Sequence, residues 1–433
     1  MRRTISVLLV VLVLAVMPSV ALAYEWGQYD LGGNTVSFVI NWDILTSYFG
    51  PEATYAPGRL EEAEKLFNCK FEWVNSGGSP DEIMNARLLA GESAYDFWAV
   101  GLSTSRFFQN AAAGWYCPVT NVIPQEYYDE LPVSDRSVMD SFSFRGEKYA
   151  IAATDRTSLT SFFIWNKTMF KENGWPMLDE LYLKDEFTWD VVTEIALQAT
   201  KDFDGDGVID QWGLGIIPPH RFVIGTGGKE VEFRDGKYVF AMDSPESLAA
   251  LNQVVEWNKL GVHHGYWSNE LFATGTVAMS IAESWMLLGW PIFMHDRDFE
   301  IGILPYPRRA DADRYIFPAD TVATYVLPAN CAQPEAMVAL LNFLIPWEER
   351  YEFTIDDWMA SIGQDPISYE VAYNAAYNWT GECNLFWWDL MSSGSPLSEV
   401  FWSDVMGGAR TPASIFAEYK DAIQAQLDDV LGQ

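Results

Sequence analysis

Val36-Ser37-Phe38-Val39-Ile40, Pro57 to Leu66, Lys70 to Val74, Pro80 to Leu89 and Tyr95 to Val100 follow one another near the start of the chain, and their order decides the fold class. Val36–Ile40 is a short apolar run and reads as a buried strand. Pro57–Leu66 opens on a proline suited to a helix start and places Glu61, Glu62 and Glu64 on a wet side. Lys70–Val74 predicts a second strand, Pro80–Leu89 a second helix and Tyr95–Val100 a third strand. Strand–helix alternation at this spacing predicts an α/β layer with a parallel-dominated sheet.

The pattern continues outward from there. Thr188 is placed to cap a helix. Within it Val192, Ile195, Ala196 and Ala199 recur at i, i+3, i+4 and i+7, one face of an amphipathic helix. Pro334–Leu344 and Ala413–Leu431 predict two more helices. No internal repeat, low-complexity tract or long linker interrupts the chain.

The chain has 433 residues, 49% hydrophobic and 15% aromatic, enough for a large core and more than one ordinary domain. It carries 27 Lys and Arg against 60 Asp and Glu, a formal charge of -33. Such a surface repels phosphate backbones and anionic headgroups, so nucleic acid and acidic membranes are poor partners and no nucleic-acid partner is expected. With 19 Trp and only 4 His, ring faces are plentiful and histidine chemistry is scarce.

Arg2 and Arg3, an apolar run from Ile5 to about Val16, Pro18 and then Ala21-Leu22-Ala23 have the pattern of a secretory signal peptide cleaved near Ala23. The run is too short for a membrane span, so residues 1–23 are expected to be removed and the product to be periplasmic or extracellular. Cys69, Cys117, Cys331 and Cys383 would then meet an oxidising compartment, where three pairings are open and Cys69–Cys117 is the favoured bridge.

The sharpest local motif is Asp202-Phe203-Asp204-Gly205-Asp206-Gly207-Val208-Ile209-Asp210. Oxygen donors at alternate positions with a glycine at the sixth are what a Ca²⁺ loop requires. Asp202, Asp204, Asp206 and Asp210 would offer carboxylates and Val208 a backbone carbonyl. The twelfth position holds Gly213 where an EF-hand has its bidentate Glu. A structural Ca²⁺ is expected, with water or another group completing the shell.

Phe163-Ile164-Trp165-Asn166-Lys167-Thr168-Met169-Phe170-Lys171-Glu172-Asn173-Gly174-Trp175-Pro176 resembles a segment of the extracellular solute-binding proteins that serve carbohydrate ABC importers (family 1, maltose-binding-protein-like). Thr188-Trp189-Asp190, the Asp-rich loop ending Asp210-Gln211-Trp212-Gly213, Phe272 to Met279 with Glu283-Ser284-Trp285, and Ile301 to Pro307 are similar to further blocks of that family, in family order. The resemblance implies a periplasmic-binding-protein-like two-lobed α/β fold, each lobe a mixed sheet flanked by helices, hinged by crossing strands. By analogy residues 24–152 and 305–347 would form the first lobe, and 153–304 and 348–433 the second. A ligand would lie between the lobes, because open α/β sheets bind at strand carboxyl ends.

Cleft candidates follow from strand ends and family position. Asn41, Trp42 and Asp43 close the first strand, Gly101 and Ser103 follow the third, and Asp155 and Arg156 lie just past the first crossing. Arg221 and Phe222 follow the Asp-rich loop, Glu283 and Trp285 belong to the later block, and Trp388 and Trp402 to the aromatic-rich end. The chemistry suits a sugar, whose C–H face rests on an aromatic ring and whose hydroxyls pair best with charged groups.

The expected function is capture of a carbohydrate, an oligosaccharide, by a monomeric non-enzymic receptor. It would deliver the sugar to ABC permease subunits driven by a separate ATPase. The rival reading is a secreted glycoside hydrolase using a carboxylate pair such as Asp155 and Glu283. A third is the same fold binding a peptide or polyol. No G-x-S-x-G elbow or H-E-x-x-H helix is present. His263-His264 reads as structural, and Gly225–Glu230, which lacks Walker spacing, reads as a hairpin turn.

Overall fold

The computed structural model describes residues 26–40, 56–92, 94–100, 106–151, 159–265, 270–283, 297–321, 324–347, 365–377, 386–391 and 394–433, with a few further residues at 286, 349, 355–356 and 359–360. The expected signal peptide, Asn41, Trp42, Asp43, Gly101, Ser103, Asp155, Arg156, Trp285 and Cys383 lie outside the described residues, as does the side chain of Trp388.

Two mixed sheets organise the chain. The first is built from β1 (Thr35–Ile40), β2 (Lys70–Asn75), β3 (Phe97–Val100), β4 (Tyr116–Cys117) and β15 (Thr324–Pro328), in the order β2-β1-β3-β15-β4. β1 runs parallel to both β2 and β3, with Phe38 opposite Trp73 on one side and Phe97 on the other. β15 returns from far along the chain and pairs antiparallel with β3 and β4. The opening alternation therefore is a parallel βαβαβ unit, with helices Arg59–Leu66 and Pro80–Leu89 as its crossovers. The antiparallel contribution of β15 could not be read locally, because its partners are more than 200 residues away.

One face of this sheet packs Phe38, Phe97, Tyr325 and Leu327 against helices Arg59–Leu66 and Pro334–Leu344. Phe38 and Phe97 stack with ring centroids 4.4 Å apart. The opposite face, with Val39, Trp98, Val100 and Val326, opens into a larger core that continues into the second sheet.

The second sheet holds β7 (Leu159–Asn166), β8 (Trp212–Ile216), β11 (His263–Gly265), β12 (Val277–Glu283) and β13 (Ile301–Leu304), in the order β11-β8-β12-β7-β13, with β14 (Ala319–Thr321) on β7. β7 contributes Phe162, Phe163, Ile164 and Trp165, all fully buried. Buried on both faces, such a strand reads as a continuous apolar run rather than an alternation. Asn166 ends it by accepting the Met169 N–H at 2.9 Å, which caps helix Lys167–Asn173. Gly174 then closes that helix in the left-handed conformation.

The late helices join the two halves. Helix Pro366–Tyr377 packs on β13 and on helix Val133–Ser141, and Phe386 stacks on Phe108 at 3.9 Å. Two short hairpins complete the strands: β5 (Ser143–Phe144) with β6 (Glu147–Lys148), and β9 (Val231–Arg234) with β10 (Lys237–Phe240). The outer edge of β10 meets the terminal helix Pro412–Leu431 and the tail beyond it. Gln424 bonds the Phe240 N–H at 2.8 Å and the Tyr238 carbonyl at 3.0 Å, while Gln433 bonds the Tyr238 N–H and carbonyl at 3.0 and 2.7 Å.

Three expectations are corrected. Cys69 and Cys117 form no bridge, and Cys331 is likewise a free thiol. Cys69 precedes β2 and Cys117 lies in β4, the two opposite edges of a five-stranded sheet. Four strand spacings put those edges roughly 19 Å apart, well beyond disulfide reach. Thr188 stands before helix Trp189–Ala199 but its side chain caps nothing. Instead its backbone bridges to Arg308. Gly225 to Glu230 is no hairpin turn: Gly225 ends helix Pro219–Gly225, and the hairpin turns at Asp235-Gly236.

Candidate functional site

The carboxyl edge of the second sheet presents a buried ion pair. β8 ends at Ile216 and leads through Pro218 into helix Pro219–Gly225, which carries Arg221. β12, buried along its whole length, ends on Glu283. Arg221 Nη2 and Glu283 Oε1 form a salt bridge, with the side chains only 12% and 7% exposed. Two of the expected cleft residues are thus brought together. Ions this poorly solvated hold each other in place, since either alone would pay a large desolvation cost.

Phe222 does not belong to the site. It is fully buried among Trp189, Trp257 and Tyr306, pointing to the other side of the helix from Arg221. Adjacent residues on a helix diverge by about 100°, so an arginine facing Glu283 and a phenylalanine in the core can stand side by side.

An aromatic group stands nearby. His220, buried beside Arg221, stacks on Trp387 with centroids 4.4 Å apart and an interplanar angle of 10°. Trp387 meets Trp402 edge-on at 6.4 Å. Trp402 lies in a single π-helical turn, Phe401–Val405, and is only partly buried. π-turns of this kind are frequent at functional sites because they swing a side chain out of helical register. Trp388 lies in helix Trp387–Leu390, next to these rings in sequence.

A second polar constellation lies where the late helices meet the first lobe, and sequence reading missed it. Asp81, in the first turn of helix Pro80–Leu89, accepts the Trp98 indole N–H at 2.9 Å and the Arg106 backbone N–H at 2.7 Å. Asn110, on helix Phe107–Ala112, donates to the Tyr116 hydroxyl at 3.1 Å. Asp389, from helix Trp387–Leu390, enters the same region almost completely buried, and its Oδ2 has no hydrogen-bond partner among the described residues. Burial pushes the Asp389 carboxyl up to about 7, with Asp81 adding to the rise and Arg106 opposing it. Burial also raises Asp81, against the N–H groups that stabilise its charge. A buried carboxyl titrating near neutrality is a mark of functional regions. Its only trace in the sequence is an acid set directly after Trp387-Trp388.

The Asp-rich loop is held apart from both groups, between helix Trp189–Ala199 and β8. Asp202, Asp204 and Asp210 present carboxylate oxygens within 4.8 Å of one another, all exposed. Asp202 accepts N–H groups from Gly205 at 2.7 Å and Gly207 at 2.9 Å, which hold its carboxyl below its ordinary value. Gly205 and Gly207 have φ of 77° and 91°, the left-handed region where glycine is needed to fold the carboxylates inward. Lys201 and Gln211 close the loop base as an isolated bridge.

Asp206 stands outside that trio, its Oδ1 accepting the Val208 N–H at 2.7 Å, and the Val208 side chain is exposed. Gly213, at the twelfth position, lies so close to the Ala196 backbone that no side chain fits there. The loop therefore offers three converging hard-oxygen donors open to water, a set suited to Ca²⁺ with a wet outer face.

His263 and His264 are structural. His263 is buried with Nδ1 2.6 Å from Asn258 Oδ1, and His264 sets its ring edge-on to Trp212 at 5.2 Å. No helix among the described residues is long and apolar enough to cross a membrane.

Comparison with known proteins places this geometry. No curated protein sequence matches the chain. Among solved structures, a cyclo/maltodextrin-binding protein complexed with maltotetraose aligns at TM-score 0.64 and 16% identity, over 93% of this chain and 99% of that one. An ABC substrate-binding protein from Listeria monocytogenes in complex with cycloalternan gives 0.58 and 17%, over 92% and 99%. The maltose/maltodextrin-binding domain from Bdellovibrio bacteriovorus bound to maltotriose gives 0.59 and 15%, over 92% and 99%. Those structural alignments show a shared two-lobed fold. A family profile described as bacterial extracellular solute-binding protein matches residues 52–345, and the chain belongs to that family.

Proposed function

We propose that this protein is an exported receptor that captures a carbohydrate, an oligosaccharide, between its lobes and delivers it to the permease subunits of an ABC importer powered by a separate ATPase. The observation that carries the reading is the near full-length alignment with receptors whose bound ligands are maltotetraose, cycloalternan and maltotriose. The local chemistry supports it. Arg221 and Glu283 form a buried charged pair at a sheet's carboxyl edge, and the partly exposed Trp402 is linked to it through Trp387 and His220, which neighbours Arg221.

In this reading the first lobe comprises residues 24–152 and 305–347, and the second residues 153–304 and 348–433. Asn41, Trp42, Asp43, Gly101 and Ser103 approach the sugar from the first lobe. Asp155 and Arg156 lie near the crossing, and Trp285, Trp388 and Trp402 stack on sugar faces. Arg221 and Glu283 hold the rim rather than act as a catalytic acid. A glycosidase needs a protonated carboxyl beside the bond, whereas Glu283 is neutralised by a guanidinium. Ca²⁺ at Asp202, Asp204 and Asp210 would tie the start of β8 to the preceding helix, a structural role. Residues 1–23 are removed on export, and the receptor acts as a monomer.

The test is thermal unfolding of the mature protein against a panel of neutral and acidic oligosaccharides, with chromatography of the sugar afterwards. A ligand that binds only the folded form raises Tm by mass action. A rise with one sugar class and intact sugar supports the receptor. Cleaved sugar moves the assignment to a hydrolase, and no response to any glycan moves it to a peptide or polyol cargo.

A further inference from the structure

A cavity of about 450 Å³ lies on the first lobe, lined by residues 26–29, helix Arg59–Leu66, helix Gln125–Glu130, helix Pro334–Leu344 and the segment that leaves it as far as Glu349. Its walls belong to the face of the first sheet that packs only against first-lobe helices, whereas the late helices and the second sheet adjoin the opposite face. The cavity is therefore separate from the interlobe cleft.

Its lining combines ring faces with both kinds of hydrogen-bonding group. Trp26, Tyr29, Phe343 and Trp347 are all partly exposed there, and Trp26 is fixed edge-on against Tyr127 at 4.9 Å. Tyr127 donates its hydroxyl to Asn342 Oδ1 at 2.5 Å, which turns the Asn342 amide into a donor for other partners. Arg59 grips Glu349 through Nη2, at 3.0 and 2.7 Å to the two carboxylate oxygens, while its buried Nη1 has no acceptor among the described residues. Glu62 and Glu130 add acceptors at the rim.

This set selects among ligand classes. Three glutamates against one already paired arginine disfavour an anion. A bare cation would leave the Arg59 Nη1 and Asn342 donors unanswered, and an alkyl chain would bury them unsatisfied. A polyhydroxylated ring answers both demands, with C–H faces for the tryptophans and hydroxyls that donate and accept. The volume lies within the usual range for small-molecule sites.

We propose that this cavity is a second carbohydrate site on the receptor, taking a mono- or disaccharide independently of the cleft. Trp347 stacks on the sugar, and Arg59 and Asn342 bond its hydroxyls. The site does not depend on the cleft's cargo being the same sugar.

The test is titration of the mature protein with glucose, maltose and mannobiose, monitored by saturation-transfer NMR and calorimetry, in wild type and three variants. Trp347→Ala removes the stacking ring, and Leu66→Trp narrows the mouth from an exposed position without removing a core contact. Glu283→Ala disables the cleft rim. We expect a sugar whose affinity drops roughly tenfold or more in Trp347→Ala and in Leu66→Trp while the Glu283→Ala titration keeps it, about 1.4 kcal/mol per tenfold. Circular dichroism and Tm confirm that each variant is folded. Should Trp347→Ala unfold, Leu66→Trp alone decides. No saturable binding of these sugars that responds to Leu66→Trp, or binding lost only in Glu283→Ala, overturns the second site. The latter result would leave the cleft reading standing, whereas loss of cleft binding alone leaves the second site standing.

Discussion

The Asp202–Asp210 loop and the Asp81–Asp389 pair use the same side chain to opposite ends. In the loop three carboxylates converge in full contact with water, and Asp202 is held below its ordinary pKa by backbone N–H groups. In the buried group Asp81 and Asp389 are both almost shut off from water, Asp81 lies near enough to raise Asp389, and burial raises both. The first group is prepared to stay charged and to attract a cation. In the second, Asp389 is prepared to hold a proton near neutral pH. Solvent and backbone geometry, not residue identity, decide which behaviour an aspartate shows.

Glu283 gives the most severe test of that comparison, being buried like Asp389 yet paired. Glu283→Ala should cost about 3–5 kcal/mol by taking the carboxylate away from the poorly solvated Arg221, measured by denaturant unfolding. The double variant Glu283→Ala/Arg221→Met should recover much of the loss. If the single variant costs less than the double, the pair is not held by mutual charge.

The loop side is tested by cation removal. EDTA should lower Tm, corresponding to about 2.7 kcal/mol at a Ca²⁺ concentration 100-fold over Kd. Asp202→Ala should show no further response to EDTA. An equal Tm with and without chelator in the wild type would leave a polar turn that needs no ion.

The buried side carries a pH signature. The folded protein holds the Asp389 proton up to about pH 7 while the unfolded chain releases it near 3.8. The burial penalty is thus absent below about pH 4, grows as pH rises toward 7, and is complete above it. Asp389→Asn should be more stable than wild type at pH 8, by about 1–3 kcal/mol, and indistinguishable from it near pH 4. A constant difference across that range would remove the titration from Asp389.

His263 gives the opposite slope. Burial lowers its pKa to about 4, so the folded protein keeps it neutral while the unfolded chain takes a proton below 6.5. Stability should fall between pH 6.5 and 4, and His263→Gln should flatten that part of the profile.

The same comparison explains what could be read from the sequence. The loop is a local object: nine consecutive residues hold its donors, so spacing alone exposes it. The opening βαβαβ unit is also local, and its strands and helices stand within a few residues of expectation. Asp81 and Asp389, by contrast, are 308 positions apart, and no window contains both. β15 joining β3 is invisible for the same reason, as is the separation of Cys69 from Cys117. Arg221 and Glu283 came from family position and strand ends, and the fold does pair them. Phe222 failed because a helix turns: choosing both neighbours assigned one face to two residues that point apart.

The glutamine clasp on β10 has a consequence for the order of events as the chain is made. Gln424 and Gln433 act as a short false strand, filling the amide and carbonyl row that an open hairpin edge would offer to another molecule. Tyr238 waits for a partner 195 residues downstream. Until the helix Pro412–Leu431 and the tail beyond it dock, that edge stays open. Before that docking, residues 231–240 present a bare strand edge of the kind that pairs with other chains, and a holdase that shields them would matter in that interval.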